Sequence, residues 1–140
     1  MIEVFTNARI FGSRGAAITV VLRCDSCEWR RGFLCGKFTT NQLELKALEY
    51  ALKSITDKAK SDKIIVYSIN RYVVMMLEKK DGKWSKGVEK NILLIERIRQ
   101  QFERFPNIDI IYHPDHARLN DIRNRTEKMV YEKNEFFEKA

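Results

Sequence analysis

A chain of 140 residues and 16.6 kDa is long enough for one domain with its own hydrophobic core. Its 44% hydrophobic and 32% charged composition excludes a disordered chain, and two prolines and six glycines exclude collagen-like or low-complexity architecture. Lysine and arginine outnumber the acids 26 to 19, giving a formal charge of +7 and a pI near 9.4. Such an excess favours a polyanionic partner, because contact with phosphates releases condensed counterions.

Residues 1–6 alternate weakly and are expected to form a short strand, with no basic stretch or small-residue cleavage site. The apolar runs 73–77 and 92–95 are too short to cross a bilayer, so a cytoplasmic protein without a membrane partner is expected. Residues 12–15 read as a loop. Residues 16–23 and 28–38 are β-rich runs on either side of a turn at Asp25-Ser26, which makes three antiparallel strands in succession. Cys24-x-x-Cys27 has half of a zinc-ligand spacing, with Cys35 and then His113 or His116 as further ligands. An odd cysteine count inside a hairpin, with no second close pair, favours reduced, incidental strand thiols instead.

The period then changes. Thr39-Thr40-Asn41 offers helix caps ahead of a stripe of Leu45, Leu48, Leu52 and Ile55, while Ala47, Tyr50 and Ala51 fill a second face. Ile64-Ile65-Val66-Tyr67 has the signature of a buried strand, and a helix is expected over about 70–79. Residues 79–87 form a polar loop in which lysines interleave with Trp84. Val88, Ile92, Ile95, Ile98, Phe102 and Phe105 mark an amphipathic helix that ends at Pro106-Asn107. Ile108, Ile110 and Tyr112 alternate as a fifth strand, and Ile122, Thr126, Met129, Val130 and Phe137 mark a final helix. The order βββαβααβα implies a single α/β domain over 1–140, with a five-stranded mixed sheet flanked by helices.

Three local motifs sit on that order. Thr40-Asn41-Gln42-Leu43-Glu44-Leu45-Lys46-Ala47 is similar to a T-N-N-x-M-E-L-x-A segment, and Val4-Phe5-Thr6-Asn7-Ala8 to a first-strand F-T-D-G motif. Val66-Tyr67-Ser68-Ile69-Asn70-Arg71-Tyr72-Val73 is similar to a fourth-strand T-D-S-x-Y-V motif. Together with Val88-Glu89-Lys90-Asn91, which resembles the segment after a basic protrusion, they make nearly the whole chain resemble type I ribonuclease H. The resemblance implies the ribonuclease H-like fold, and the family's chemistry is two-metal phosphodiester hydrolysis by clustered carboxylates.

On this resemblance Glu44 falls on the helix-borne metal-binding glutamate, but Asn7 stands at the first-strand aspartate and Ile69 at the fourth-strand aspartate. Setting residues 125–130 on the family's R-A-D-x-L-A puts Glu127 at the fourth acidic position, with Asp121 and Asn124 as alternatives, and His116 on the mobile-loop histidine. The formal charge of the site then falls from about −4 to about −2, while the cost of dehydrating a divalent ion is unchanged. A vestigial set of Glu44, Glu127 and His116 is implied, with no intact metal site and no bound cofactor; Mg or Mn enters only if the site is rebuilt. Contacts to nucleic acid are implied for Thr40, Asn41, Gln42, Arg71, Lys83, Trp84 and Lys86, and for Arg31, whose neighbour Arg30 points to the opposite face of its strand. Plainer roles stand beside these: Thr40 or Asn41 as a helix cap, Trp84 as a cover for the core, Glu44 as a partner of its helix dipole.

The function expected is a catalytically silent domain that binds RNA/DNA hybrid or duplex. One alternative is an active hybrid ribonuclease with ligands rebuilt from Glu44, Asp115, Asp121 and Glu127. Another is an interaction scaffold or homodimer, with residues 73–77 and Phe136-Phe137 as candidate surfaces.

Overall fold

The computed structural model describes residues 1–10, 12–84, 91–132 and 136–139, with side chains described as far as Lys128 except that of Arg14. Its first three strands, β1 (Ile2–Ile10), β2 (Ala16–Arg23) and β3 (Glu28–Cys35), are antiparallel. β1 runs four residues past its expected end at Thr6, because pairing with β2 continues unbroken from Glu3↔Arg23 to Ile10↔Ala16. Gly12 (φ +54°) and Gly15 (φ +115°) take the left-handed conformations that reverse the chain. β3 stops at Cys35 rather than Phe38, since Cys35 pairs with Ala16, the first residue of its partner. Cys24 and Cys27 lie at the turn end of this hairpin and Cys35 at the other end, roughly 25 Å away at a strand's rise per residue. The three thiols share no site.

Helix α1 (Thr40–Lys53) begins at a capping box on Thr39, the first of the three caps that the sequence offers. The Gln42 N–H donates to Thr39 Oγ1 (3.2 Å), and the Thr39 N–H donates to Gln42 Oε1 (2.9 Å). β4 (Ile64–Ser68) pairs parallel with β1. α2 (Arg71–Leu77) is shorter than expected: Asn70 caps it through the Val73 N–H, and the chain is extended again at Glu78. A small hairpin follows, β5 (Lys79–Lys80) and β6 (Lys83–Trp84), where the expectation was a loop. Asp81 (φ 55°) and Gly82 (φ +74°) form its two-residue turn, both left-handed as a twisted hairpin requires. Then come α3 (Ile92–Glu103), β7 (Ile108–Tyr112), α4 (Ala117–Glu132) and β8 (Phe136–Lys139).

The mixed sheet has the order β3-β2-β1-β4-β7, and β8 joins β3 antiparallel as a sixth strand at its edge. The last helix therefore ends at Glu132, and Phe137 belongs to a strand rather than to the helix as expected. One face of the sheet carries the larger core: Leu43, Leu45, Leu48 and Leu52 of α1 meet Val4, Val20 and Val66, joined by Val73 and Leu77 of α2 and by Ile95, Ile98 and Phe102 of α3. On the other face Leu119 and Ile122 of α4 close over Phe5 and Val21. Residues 73–77 are thus core except for Met75, which is exposed. The side chains of Met129, Val130, Phe136 and Phe137 lie outside the described ones.

Candidate functional site

Asn7 lies on central strand β1, opposite Thr19 of β2, on the sheet face that α4 covers. It is fully buried, and neither atom of its amide has a hydrogen-bond partner. Glu44, in the first turns of α1, is buried too, and its Oε1 accepts the Ala8 N–H at 3.2 Å. Burial raises its carboxyl to about 8, against the opposing pull of that N–H and of the Arg123 charge. At neutral pH the group is therefore mostly protonated. Ile69, which the sequence resemblance sets on the fourth-strand aspartate, follows β4 directly and packs on the Phe5, Leu119 and Ile122 cluster.

The phase of α4 is set by two threonines. The Thr126 hydroxyl donates to the Ile122 carbonyl (2.8 Å) and is hydrogen-bonded to the Thr19 hydroxyl, which ties the helix to β2 beside Asn7. This phase brings the Arg123 charge to bear on Glu44. Glu127, half-buried, follows Arg123 by one turn of the same helix. Asp121 is exposed and bound by Arg118 (3.3 Å), and Asn124 is exposed.

Two divalent ions require clustered oxygen ligands. Asn7 offers one neutral, buried oxygen, Ile69 none, Glu44 a mostly protonated carboxyl already engaged by backbone, and Arg123 adds positive charge. This donor set does not fit the two-metal centre that the fold family implies. Among the described residues, no group of three His, Cys, Asp or Glu side chains is placed to hold a metal, the rebuilt set of Glu44, Asp115, Asp121 and Glu127 included.

His116 is built into the start of α4. Its Nδ1 accepts the Arg118 N–H at 3.0 Å, and its ring packs 5.0 Å from Phe5, 4.7 Å from Tyr67 and 4.9 Å from His113. Burial, then the neighbouring His113, holds its pKa below the ordinary histidine range.

The expected nucleic-acid residues fall into separate places. Asn41 Oδ1 accepts from Asn70 Nδ2 (2.8 Å), and Gln42 Nε2 donates to Asn91 Oδ1 (3.1 Å). With Thr39 and Tyr72 they line a depression of about 490 Å³, beside exposed Thr40. Arg71, also exposed, lies 5.3 Å over the Tyr112 ring. Lys83 is exposed on the β5–β6 hairpin. Trp84 is half-buried, edge-on to Phe102 (6.1 Å), with Lys79 and Arg99 at 4.4 and 5.2 Å from its ring centre, so it covers core and carries cations at once. Arg31 is elsewhere: it donates to the Tyr50 hydroxyl (2.6 Å), about 13 Å along α1 from Asn41. Arg30, on the opposite strand face as expected, is paired with Glu28. Lys86 lies outside the described residues. Sequence reasoning missed Arg123 and the side-chain links from Asn70 and Asn91; the hairpin had a usable signal in Asp81-Gly82.

No protein-family model and no curated protein matches this sequence. Solved structures do. Ribonuclease H1 from the halophilic archaeon Halobacterium salinarum NRC-1 matches with a TM-score of 0.69 at 19% identity, over 95% of this chain and 98% of that one. LC11-RNase H1, in complex with an RNA/DNA hybrid, matches with a TM-score of 0.70 at 21% identity, over 93% and 99%. The N-terminal RNase H domain of rv2228c from Mycobacterium tuberculosis, solved as a fusion with maltose-binding protein, matches with 0.68 at 18% identity, over 89% and 94%. At these identities the likeness is one of fold, and the chain has the ribonuclease H-like fold.

Proposed function

We propose that this chain is a nucleic-acid-binding domain of ribonuclease H-like fold that engages RNA/DNA hybrid or duplex without hydrolysing it and without a divalent cofactor. One set of observations supports the reading: Asn7 and Ile69 stand where the resemblance sets two metal-binding aspartates, and Glu44, set on the helix-borne glutamate, is buried with a raised pKa. A centre that is neutral to positive no longer repels a phosphate backbone. The +7 charge acts in the same direction, and a neighbour of this fold is solved on a hybrid. Asn41 and Gln42 are held in place by Asn70 and Asn91, which lowers the ordering cost of any contact they make. Arg71, Lys83 and the Lys79–Trp84–Arg99 stack supply cations and an aromatic face. Among the described residues no helix is long and apolar enough to cross a membrane; a cytoplasmic site of action is part of the proposal.

The test is a mobility-shift titration of a labelled RNA/DNA hybrid in EDTA. Binding is expected without metal, and Arg71→Ala and Lys83→Ala each weaken it about two- to fivefold, as single phosphate contacts do. Absence of binding at low salt contradicts the proposal, and a protein-only partner becomes the better account.

A further inference from the structure

The turn of the β2–β3 hairpin is Cys24-Asp25-Ser26-Cys27, and every residue in it is exposed. The ladder between the two strands ends at Arg23↔Glu28, and the next pair outward is Cys24 with Cys27, where the Cys24 N–H donates to the Cys27 carbonyl at 2.9 Å. Residues opposite one another in an antiparallel pair carry their side chains on the same face, with Cα atoms about 5.5 Å apart when the pair is hydrogen-bonded. A disulfide accepts Cα separations of about 4.4–6.8 Å. Both residues stand as thiols here, and the Cys24 Sγ already reaches across the turn, donating to the Cys27 carbonyl at 3.6 Å. Closing a bridge between them therefore asks for side-chain rotation rather than backbone movement. We propose that Cys24 and Cys27 form a reversible redox pair that exchanges with small disulfides such as oxidised glutathione. The inference stands apart from the nucleic-acid reading. In the first step one cysteine thiolate attacks a sulfur of the small disulfide, forming a mixed disulfide and releasing one thiolate. The second cysteine thiolate then attacks the protein sulfur of that mixed disulfide, which forms the Cys24–Cys27 bond and releases the other thiolate. The two thiol protons pass to the released thiolates, the protein dithiol loses two electrons, and the small disulfide gains them. An exposed bridge across a tight turn is within reach of thiols that reopen it, so the couple belongs with labile disulfides rather than structural ones. The reduced state expected of a cytoplasmic chain is its resting state.

The test exposes the purified full chain to excess oxidised glutathione, quenches it with iodoacetamide and maps the tryptic peptides by mass. Cleavage after Arg23, Arg30, Arg31 and Lys37 puts Cys24 and Cys27 on one peptide and Cys35 on another, so Cys35 is an internal control. Peptide 24–30 is expected to escape alkylation and to be lighter by two hydrogens, and excess reduced glutathione is expected to return it to the dithiol. In Cys24→Ser and in Cys27→Ser the remaining thiol is expected to keep a glutathionyl adduct at a level about tenfold or more above wild type, because no second thiol resolves it. The bridge is expected to close about fivefold faster in the folded chain than in concentrated urea, since the hairpin holds the two thiols together. Lasting glutathionyl adducts on both cysteines of wild type, a bridge that reduced glutathione does not open, or equally fast closure in urea overturns the assignment.

Discussion

Asn7 and Glu44 are both polar groups buried at a cost. For Asn7, both amide atoms lack partners inside the sheet–helix layer. Replacing it with leucine, of similar size, removes the unsatisfied group and is expected to raise stability by about 1 kcal/mol, or about 3 °C in Tm, by differential scanning calorimetry. A loss of stability would show that the amide has a partner, such as a bound water. For Glu44, the folded carboxyl sits at about 8 against 4.5 when unfolded. The native state therefore keeps a proton that the unfolded chain releases. The resulting stabilisation is complete below pH 4.5 and disappears as pH rises through 8, by an amount of the order of a few kcal/mol. Urea unfolding across pH 5–9 should show this decline in wild type and a flatter profile in Glu44→Gln; parallel profiles would contradict it. Asn7 and Ile69 stood out in the sequence because each sits in a short motif pinned by its strand. The influence of Arg123 on Glu44 did not, because it depends on the rotational phase of α4. That phase is set by the Thr19–Thr126 contact, between residues 107 positions apart, and no local pattern announces it.

At the level of elements, α4 depends on an unusual cap. The His116 Nδ1 accepts the Arg118 N–H, which requires a neutral ring. Its lowered pKa means the unfolded chain protonates first, so this contribution is present above about pH 6.5 and fades as the solution becomes more acid. His116→Ala should cost about 1 kcal/mol at pH 7.5 and His116→Asn should restore most of it, by chemical denaturation; equal stability of all three would refute the cap. Most of the element order was legible from period changes and caps, as Thr39–Gln42 illustrates. The failures have physical causes. β1 outran its alternation because its length is set by β2, not by its own pattern. β8 was merged into the last helix because Phe137 continued a helical spacing, whereas its pairing with β3 is a tertiary choice.

The whole molecule places two differently built faces on one sheet: an extended core under α1, α2 and α3, and a thinner layer under α4 that covers Asn7. Polyanion binding by such a body is governed by counterion release, so its affinity for hybrid in EDTA should fall steeply and log-linearly with monovalent salt. An affinity that does not change with salt would contradict it. The most direct measurement is product analysis of a labelled RNA/DNA hybrid incubated with the purified wild-type chain in Mg²⁺ and, separately, Mn²⁺, at protein concentrations that saturate binding. The account predicts bound but intact RNA over hours; metal-dependent RNA fragments that vanish in Glu44→Gln would contradict it.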